Sequence, residues 1–136
     1  MKKIENAQCI FLMGGTTREQ IKYINENNFA PAIRNNSGTI IGMSAGAINL
    51  GIKSLSLKHS GEDRTVIYSG MGLTDKTVFP HFTLTETKVI SELMNYSKDF
   101  MIYGICDNSA IIERNGKTIV TGDVYRLHEG KMEKMK

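Results

Sequence analysis

Residues 38–50 read Gly38-Thr39-Ile40-Ile41-Gly42-Met43-Ser44-Ala45-Gly46-Ala47-Ile48-Asn49-Leu50. The apolar run from Gly38 to Met43 predicts a buried strand. Ser44 stands at its end, and Ala45–Leu50 predicts a helix. Gly42–Gly46 therefore satisfies G-x-S-x-G in the strand–turn–helix setting that this motif requires. A sharp turn there pushes the serine side chain out at the C-terminal edge of a sheet, and small flanking residues let the backbone make it. The amide N–H of Ala45 then faces the same space and can stabilise an oxyanion. A glycine-rich turn with an incidental serine is the competing interpretation, and the strand–helix setting weighs against it.

The same alternation extends outward. Cys9–Met13 is a continuous apolar run closed by Gly14-Gly15, predicting a buried strand with both faces covered. Thr16 and Glu19 have capping-box spacing ahead of a helix with Ile21 and Ile24 on its apolar side, ended by Asn27-Asn28. Phe29–Asn36 predicts a second short helix. Thr65–Tyr68, Thr77–Phe79 and Met101–Ile105 predict further strands, and 51–63 has no clear assignment. Thr83–Glu86 repeats the capping-box signature before Val89, Ile90, Leu93 and Met94 at helical spacing. Asn115-Gly116 between two β-rich runs predicts a hairpin over 111–120, Val124–Leu127 a closing strand, and Lys131–Lys136 a frayed tail. This order predicts an α/β fold, a mostly parallel sheet sandwiched by helices with a C-terminal β-hairpin, in one domain over 1–136.

Composition narrows the function. The chain has 136 residues, 40% hydrophobic and 23% charged, which excludes a disordered chain and allows a real core. A net charge of +3, evenly spread, does not point to nucleic acid. No apolar run approaches a membrane span, and the N-terminal stretch does not read as a signal peptide, so a cytoplasmic protein without a membrane partner is expected. Cys9 and Cys106 make neither a disulfide framework nor a zinc site and read as buried free thiols.

A nucleophilic serine needs a base. His81 lies in Phe79-Pro80-His81-Phe82, just past a predicted strand, and strand C-termini gather at one edge of a parallel sheet. Alone, His81 reads as a packing histidine; beside the elbow it becomes the candidate base, ahead of His59 and His128. The carboxylates between Ser44 and His81 are Glu62, Asp63 and Asp75, and composition does not choose among them. Gly14-Gly15 reads best as the second half of an oxyanion hole, with a helix-entry turn as the alternative.

Phe11–Thr17 (F-L-M-G-G-T-T), Gly42–Ala47 (G-M-S-A-G-A), Gly70–Leu73 (G-M-G-L), Pro80–Phe82 (P-H-F) and Asp107–Ile111 (D-N-S-A-I) occur in the order seen in the S51 serine peptidases. The resemblance covers nearly the whole chain. That family includes dipeptidase E and cyanophycinase and has a class I glutamine amidotransferase-like fold with serine in place of the amidotransferase cysteine. The resemblance implies Ser44 as nucleophile, His81 as general base, and the N–H groups of Gly15 and Ala45 as the oxyanion hole, with no cofactor or metal. It implies an acid after the serine, with Glu62, 18 positions on, as first choice and Asp63 next; a Ser–His dyad is the alternative. Thr16 replaces the family's usual Asn.

Family members carry about two further βα units ahead of the strand that begins here near Gln8. A fragment or a short, truncated form is therefore expected, and a short form is expected to self-associate as a homo-oligomer over its uncovered surface. The implied function is a serine hydrolase cleaving small peptides, an exopeptidase or dipeptidase with Asp-X as a candidate preference. The competing expectations are a catalytically inactive remnant serving as a binding or assembly module, and an amidotransferase-like domain using serine. Arg18, Arg34, Lys53, Lys58 and Arg64 are available to recognise an acidic side chain.

Overall fold

The computed structural model describes residues 1–58 and 63–136. They form two compact units, Met1–Asp75 and Lys76–Lys136.

In the first unit, β1 (Cys9–Leu12) pairs in parallel with β2 (Thr39–Gly42), Cys9 opposite Thr39. Parallel partners need a long crossover. It is supplied here by α2 (Thr17–Glu26) and α3 (Phe29–Arg34). Ile21, Ile24, Ala30, Ile33 and Met71 form the buried cluster, with Ile10, Leu12 and Ile40 packed against it from one face of the strands. The short α1 (Lys2–Glu5) precedes β1, and α4 (Ala45–Asn49) follows β2. An antiparallel pair, β3 (Lys53–Ser56) with β4 (Val66–Ser69), completes the unit. β3 lies in the stretch that carries no clear sequence assignment. Its residues are polar at Lys53, Ser54 and Ser56, yet Ser54 and Ser56 are buried. Ser54 meets that cost by donating from Oγ to the Ile48 carbonyl at 2.7 Å.

In the second unit, β5 (Thr77–Pro80) pairs in parallel with β6 (Ile102–Ile105) across α5 (Thr87–Tyr96). β9 (Val124–His128) pairs antiparallel with β6, and β10 (Lys131–Lys134) with β9. The sheet order is β10-β9-β6-β5. Leu93 of α5, Ile102, Val124 and Leu127 are fully buried. β7 (Ala110–Arg114) and β8 (Lys117–Thr121) form the expected hairpin, with Asn115 at φ 52° and Gly116 at φ 74°. Two successive positive φ values are what a type I′ turn requires.

Five expectations are corrected. The α/β class stands, but the sheets are mixed: two of the described pairings are parallel and four antiparallel. The antiparallel character of the second unit follows from tight turns at Asn115-Gly116 and Glu129-Gly130, which can only reverse the chain. β1 and β2 are not covered on both faces, since Cys9, Phe11, Thr39 and Ile41 alternate as exposed positions. The cysteines are accordingly not both buried: Cys9 is exposed and Cys106 half-buried. The tail is not frayed through Lys134; Glu129 and Gly130 both take positive φ and turn β10 onto β9. The second capping box does not start a helix at Thr83. Thr83 and Thr85 bond each other at 3.0 Å, and α5 begins at Thr87. The first box has the right position, Thr16 being the residue before α2, but the Thr16 side chain makes no capping bond.

Candidate active site

The elbow is built within the first unit. β2 ends at Gly42 and α4 starts at Ala45, so Met43 and Ser44 make the whole turn. Ser44 has φ 54° and ψ −116°. For a residue with a side chain this conformation costs about 1–3 kcal/mol and persists only where the surroundings enforce it. The enforcement is visible in the backbone. Met43 N–H donates to the Leu12 carbonyl at 2.9 Å, Gly46 N–H to Met43 at 2.9 Å, and Ile48 N–H to Ser44 at 3.1 Å. Both flanking glycines are steric requirements. A Cβ on Gly42 would lie 2.7 Å from the Gly46 carbonyl oxygen, and one on Gly46 would collide with the Leu12 carbonyl. α4 thus folds back hard against β1 and β2, and Ala45 is buried directly behind the serine.

The Gly14-Gly15 turn stands beside the elbow. A Cβ on Gly14 would be 3.4 Å from Ser44 Cβ and 3.8 Å from its Oγ. Gly15 has φ 140°, faces open space and is exposed. Only glycine adopts that φ readily. An open groove of about 560 Å³ lies along α2 and β4, lined in part by Thr16, Arg18, Lys22 and Tyr68.

The second unit positions the histidine. His81 follows β5 and has φ 55°. Phe82 N–H donates to the Ile105 carbonyl at 3.0 Å, and the Phe82 ring is buried against Gly104 and Tyr125. His81 is held between a strand end and this anchor, with its ring exposed. Its Nδ1 lies 2.8 Å from Oδ1 of Asp107, which stands just past the end of β6, the parallel neighbour of β5. With its proton on Nδ1, the imidazole donates to Asp107 and leaves Nε2 as the acceptor. The Asp107 loop is fastened from below: Ser109 Oγ accepts the Asp123 N–H at 2.7 Å, and Cys106 N–H donates to Asp123 at 3.1 Å. Burial first, then the carboxylates of Asp123 and Asp107, hold the Cys106 thiol above its ordinary range. The thiolate, the reactive form, is thereby disfavoured.

Sequence reasoning did not single out the His81–Asp107 contact. It named Glu62, which lies outside the described residues, and Asp63, which is exposed ahead of β4. The available signal was that Asp107 opens D-N-S-A-I at the end of the strand neighbouring that of His81. Among the basic candidates, Arg34 is engaged structurally, donating from Nη1 to the Met71 carbonyl at 3.1 Å. Among the described residues, no group of three or more His, Cys, Asp or Glu could hold a metal ion, and no helix is long and apolar enough to cross a membrane.

Comparisons with known proteins bear on the fold and the family. A peptidase from an acI-B1 Actinobacterium matches with a TM-score of 0.74 and 19% identity, over 98% of this chain and 59% of its own. A protein provisionally described as a peptidase E of Listeria monocytogenes EGD-e matches with a TM-score of 0.70 and 19% identity, over 88% of this chain and 62% of its own. At that identity the likeness is one of fold, and the chain spans about 60% of the length of these structures. No curated protein matches significantly. The sequence profile of peptidase family S51 matches residues 1–121. The chain belongs to peptidase family S51.

Proposed function

We propose that the protein is a serine peptidase that cleaves small peptides, with Ser44 as nucleophile and His81 as general base. The observation that carries this reading is the backbone of Ser44, φ 54° and ψ −116°, held at a strand–helix turn by two glycines that admit no side chain. A strained serine at such a turn is what a nucleophile elbow consists of.

In this reading Ser44 Oγ attacks the scissile carbonyl carbon while His81 Nε2 takes its proton. The bond from His81 Nδ1 to Asp107 supports the required tautomer and stabilises the imidazolium that forms. Asp107 is thereby preferred over Glu62 and Asp63 as the residue that orients the base. The N–H groups of Gly15 and Ala45 donate to the oxyanion of the tetrahedral intermediate. Its collapse breaks the C–N bond, and the leaving amine takes the proton back from Nε2. Water, deprotonated by the same nitrogen, then hydrolyses the acyl-enzyme and frees Ser44. Dipeptides with an N-terminal Asp are candidate substrates, Arg18 and Lys22 in the groove offering positive charge.

The test is a panel of dipeptides, Asp-X members included, followed by mass spectrometry with Ser44→Ala in parallel. Cleavage that disappears in Ser44→Ala is the expected result. No cleavage by folded protein would favour the inactive binding module instead.

A further inference from the structure

We infer that Gln20, Asn49 and Tyr68 form a positioning relay that clamps both ends of the Gly14–Thr16 turn to the helix that follows Ser44. The inference rests on the proposed reading in one respect, that this turn supplies an oxyanion donor.

Asn49 closes α4 and is completely buried. Its carboxamide is bonded at both its nitrogen and its oxygen. Nδ2 donates to the Thr17 carbonyl at 2.9 Å and to Gln20 Oε1 at 2.9 Å, while Oδ1 accepts from the Tyr68 hydroxyl at 2.7 Å. The orientation of each group follows from the inventory of donors and acceptors. The Thr17 carbonyl can only accept, so the Asn49 NH₂ must face it. That NH₂ in turn faces the oxygen of Gln20, which sends the Gln20 Nε2 outward. There it donates to the Met13 carbonyl at 2.7 Å.

One buried side chain therefore holds the turn at both ends, Thr17 directly and Met13 through Gln20. Between these points lie Gly14, Gly15 and Thr16. Two glycines lose more freedom on ordering than any other pair, so an untethered turn of this composition would sample many directions for its N–H groups. Asn49 shares its short helix with Ala45, so the clamp references the Gly15 N–H to the element that carries the Ala45 N–H. Tyr68, from β4, fixes the Asn49 amide from the opposite side. Nothing in stability alone demands the outer link: the Gln20–Met13 bond is at the surface, where water can replace it. Its consequence is directional.

Gln20→Met keeps the length and removes both the donor to Met13 and the acceptor for Asn49. Gln20→Glu keeps the shape and the acceptor for Asn49 but turns a carboxylate oxygen toward the Met13 carbonyl. The measurements are kcat and KM on a cleaved dipeptide, the rate at which a fluorophosphonate labels Ser44, and amide hydrogen exchange at residues 14–17. The relay predicts that both variants lose about tenfold in kcat and in labelling rate, with KM within about twofold. That is a fraction of the ~10²–10³ lost when an oxyanion donor is removed outright. It predicts faster exchange at 14–17 in both variants, with the urea midpoint unchanged in Gln20→Glu, which keeps the acceptor for Asn49, and lowered in Gln20→Met, which orphans a buried Asn49 N–H. A packing role would tolerate Gln20→Glu, so wild-type kcat in that variant overturns the relay. So does a loss expressed in KM alone. Should the wild-type protein neither cleave nor label, the reading of Ser44 falls, and exchange decides the clamp by itself: faster exchange in both variants upholds it, unchanged exchange refutes it.

Discussion

Gly104→Ala is expected to damage the histidine side of the site from within a strand that carries none of the chemistry. Gly104 is buried in β6, and a Cβ added there would lie 2.6, 2.7 and 3.0 Å from Cγ, Cδ2 and Cδ1 of the Phe82 ring. Carbon atoms in good contact are about 3.5–4.0 Å apart, so the ring must retreat by roughly 1 Å. It has little room to do so. Phe82 is 2% exposed, packs on Tyr125 with ring centroids 5.5 Å apart, and its own N–H is committed to Ile105. Overpacking of this kind costs about 1–3 kcal/mol. Because His81 is the adjacent residue and already at positive φ, displacement of Phe82 also moves the imidazole relative to Asp107. The assay is urea unfolding combined with kcat/KM. Gly104→Ala should lower the midpoint without changing the slope and reduce kcat/KM by at least about tenfold, since small misplacements of a reacting group are costly. Phe82→Leu in the same chain should restore part of the stability, making the pair non-additive by roughly 0.5–3 kcal/mol. Wild-type stability in Gly104→Ala, or strict additivity with Phe82→Leu, would refute the claim that glycine is there to admit the ring.

Three further outcomes are expected. Asp107→Asn should lower kcat by about 10²–10⁴ by favouring the wrong imidazole tautomer, whereas Asp63→Asn should leave it within a few-fold; steady-state kinetics of both variants tests the choice of orienting residue. Ser44→Gly and Ser44→Ala both remove the hydroxyl, but only glycine relieves the φ of 54°, so Ser44→Gly should be the more stable by about 1 kcal/mol in urea unfolding. The Cys106 thiol is held up by burial and by Asp123 and Asp107, so a smaller fraction is thiolate at pH 8 and alkylation by iodoacetamide should be slower there than at exposed Cys9; mass mapping of the first adduct tests the order.

The elbow was legible because its requirements are local. Gly42, Ser44 and Gly46 lie within five consecutive residues, from the end of β2 through the turn into α4, and the apolar run before them announces the strand. The Asn115-Gly116 hairpin was legible for the same reason. What escaped depends on contacts distant in sequence. Asp107 reaches His81 across 26 residues through the parallel pairing of β5 and β6, which no spacing rule encodes. The runs at Cys9–Leu12 and Thr39–Gly42 identify strands, but apolar content does not say what covers each face, and Phe11 and Ile41 are exposed. β10 reads Lys-Met-Glu-Lys and has no apolar alternation; it exists because Glu129 and Gly130 turn it onto the backbone of β9. Asn49 and Tyr68 carry no motif, since their importance lies in which carbonyls and amides they reach.

The central claim is that Ser44 is a nucleophile activated by His81. Treatment with a fluorophosphonate, followed by peptide mapping of the adduct, tests it most directly. The account predicts one adduct per chain, on Ser44, formed at least about 10²-fold more slowly in His81→Ala. An adduct elsewhere, none on folded protein, or labelling of Ser44 that is indifferent to His81→Ala would contradict it.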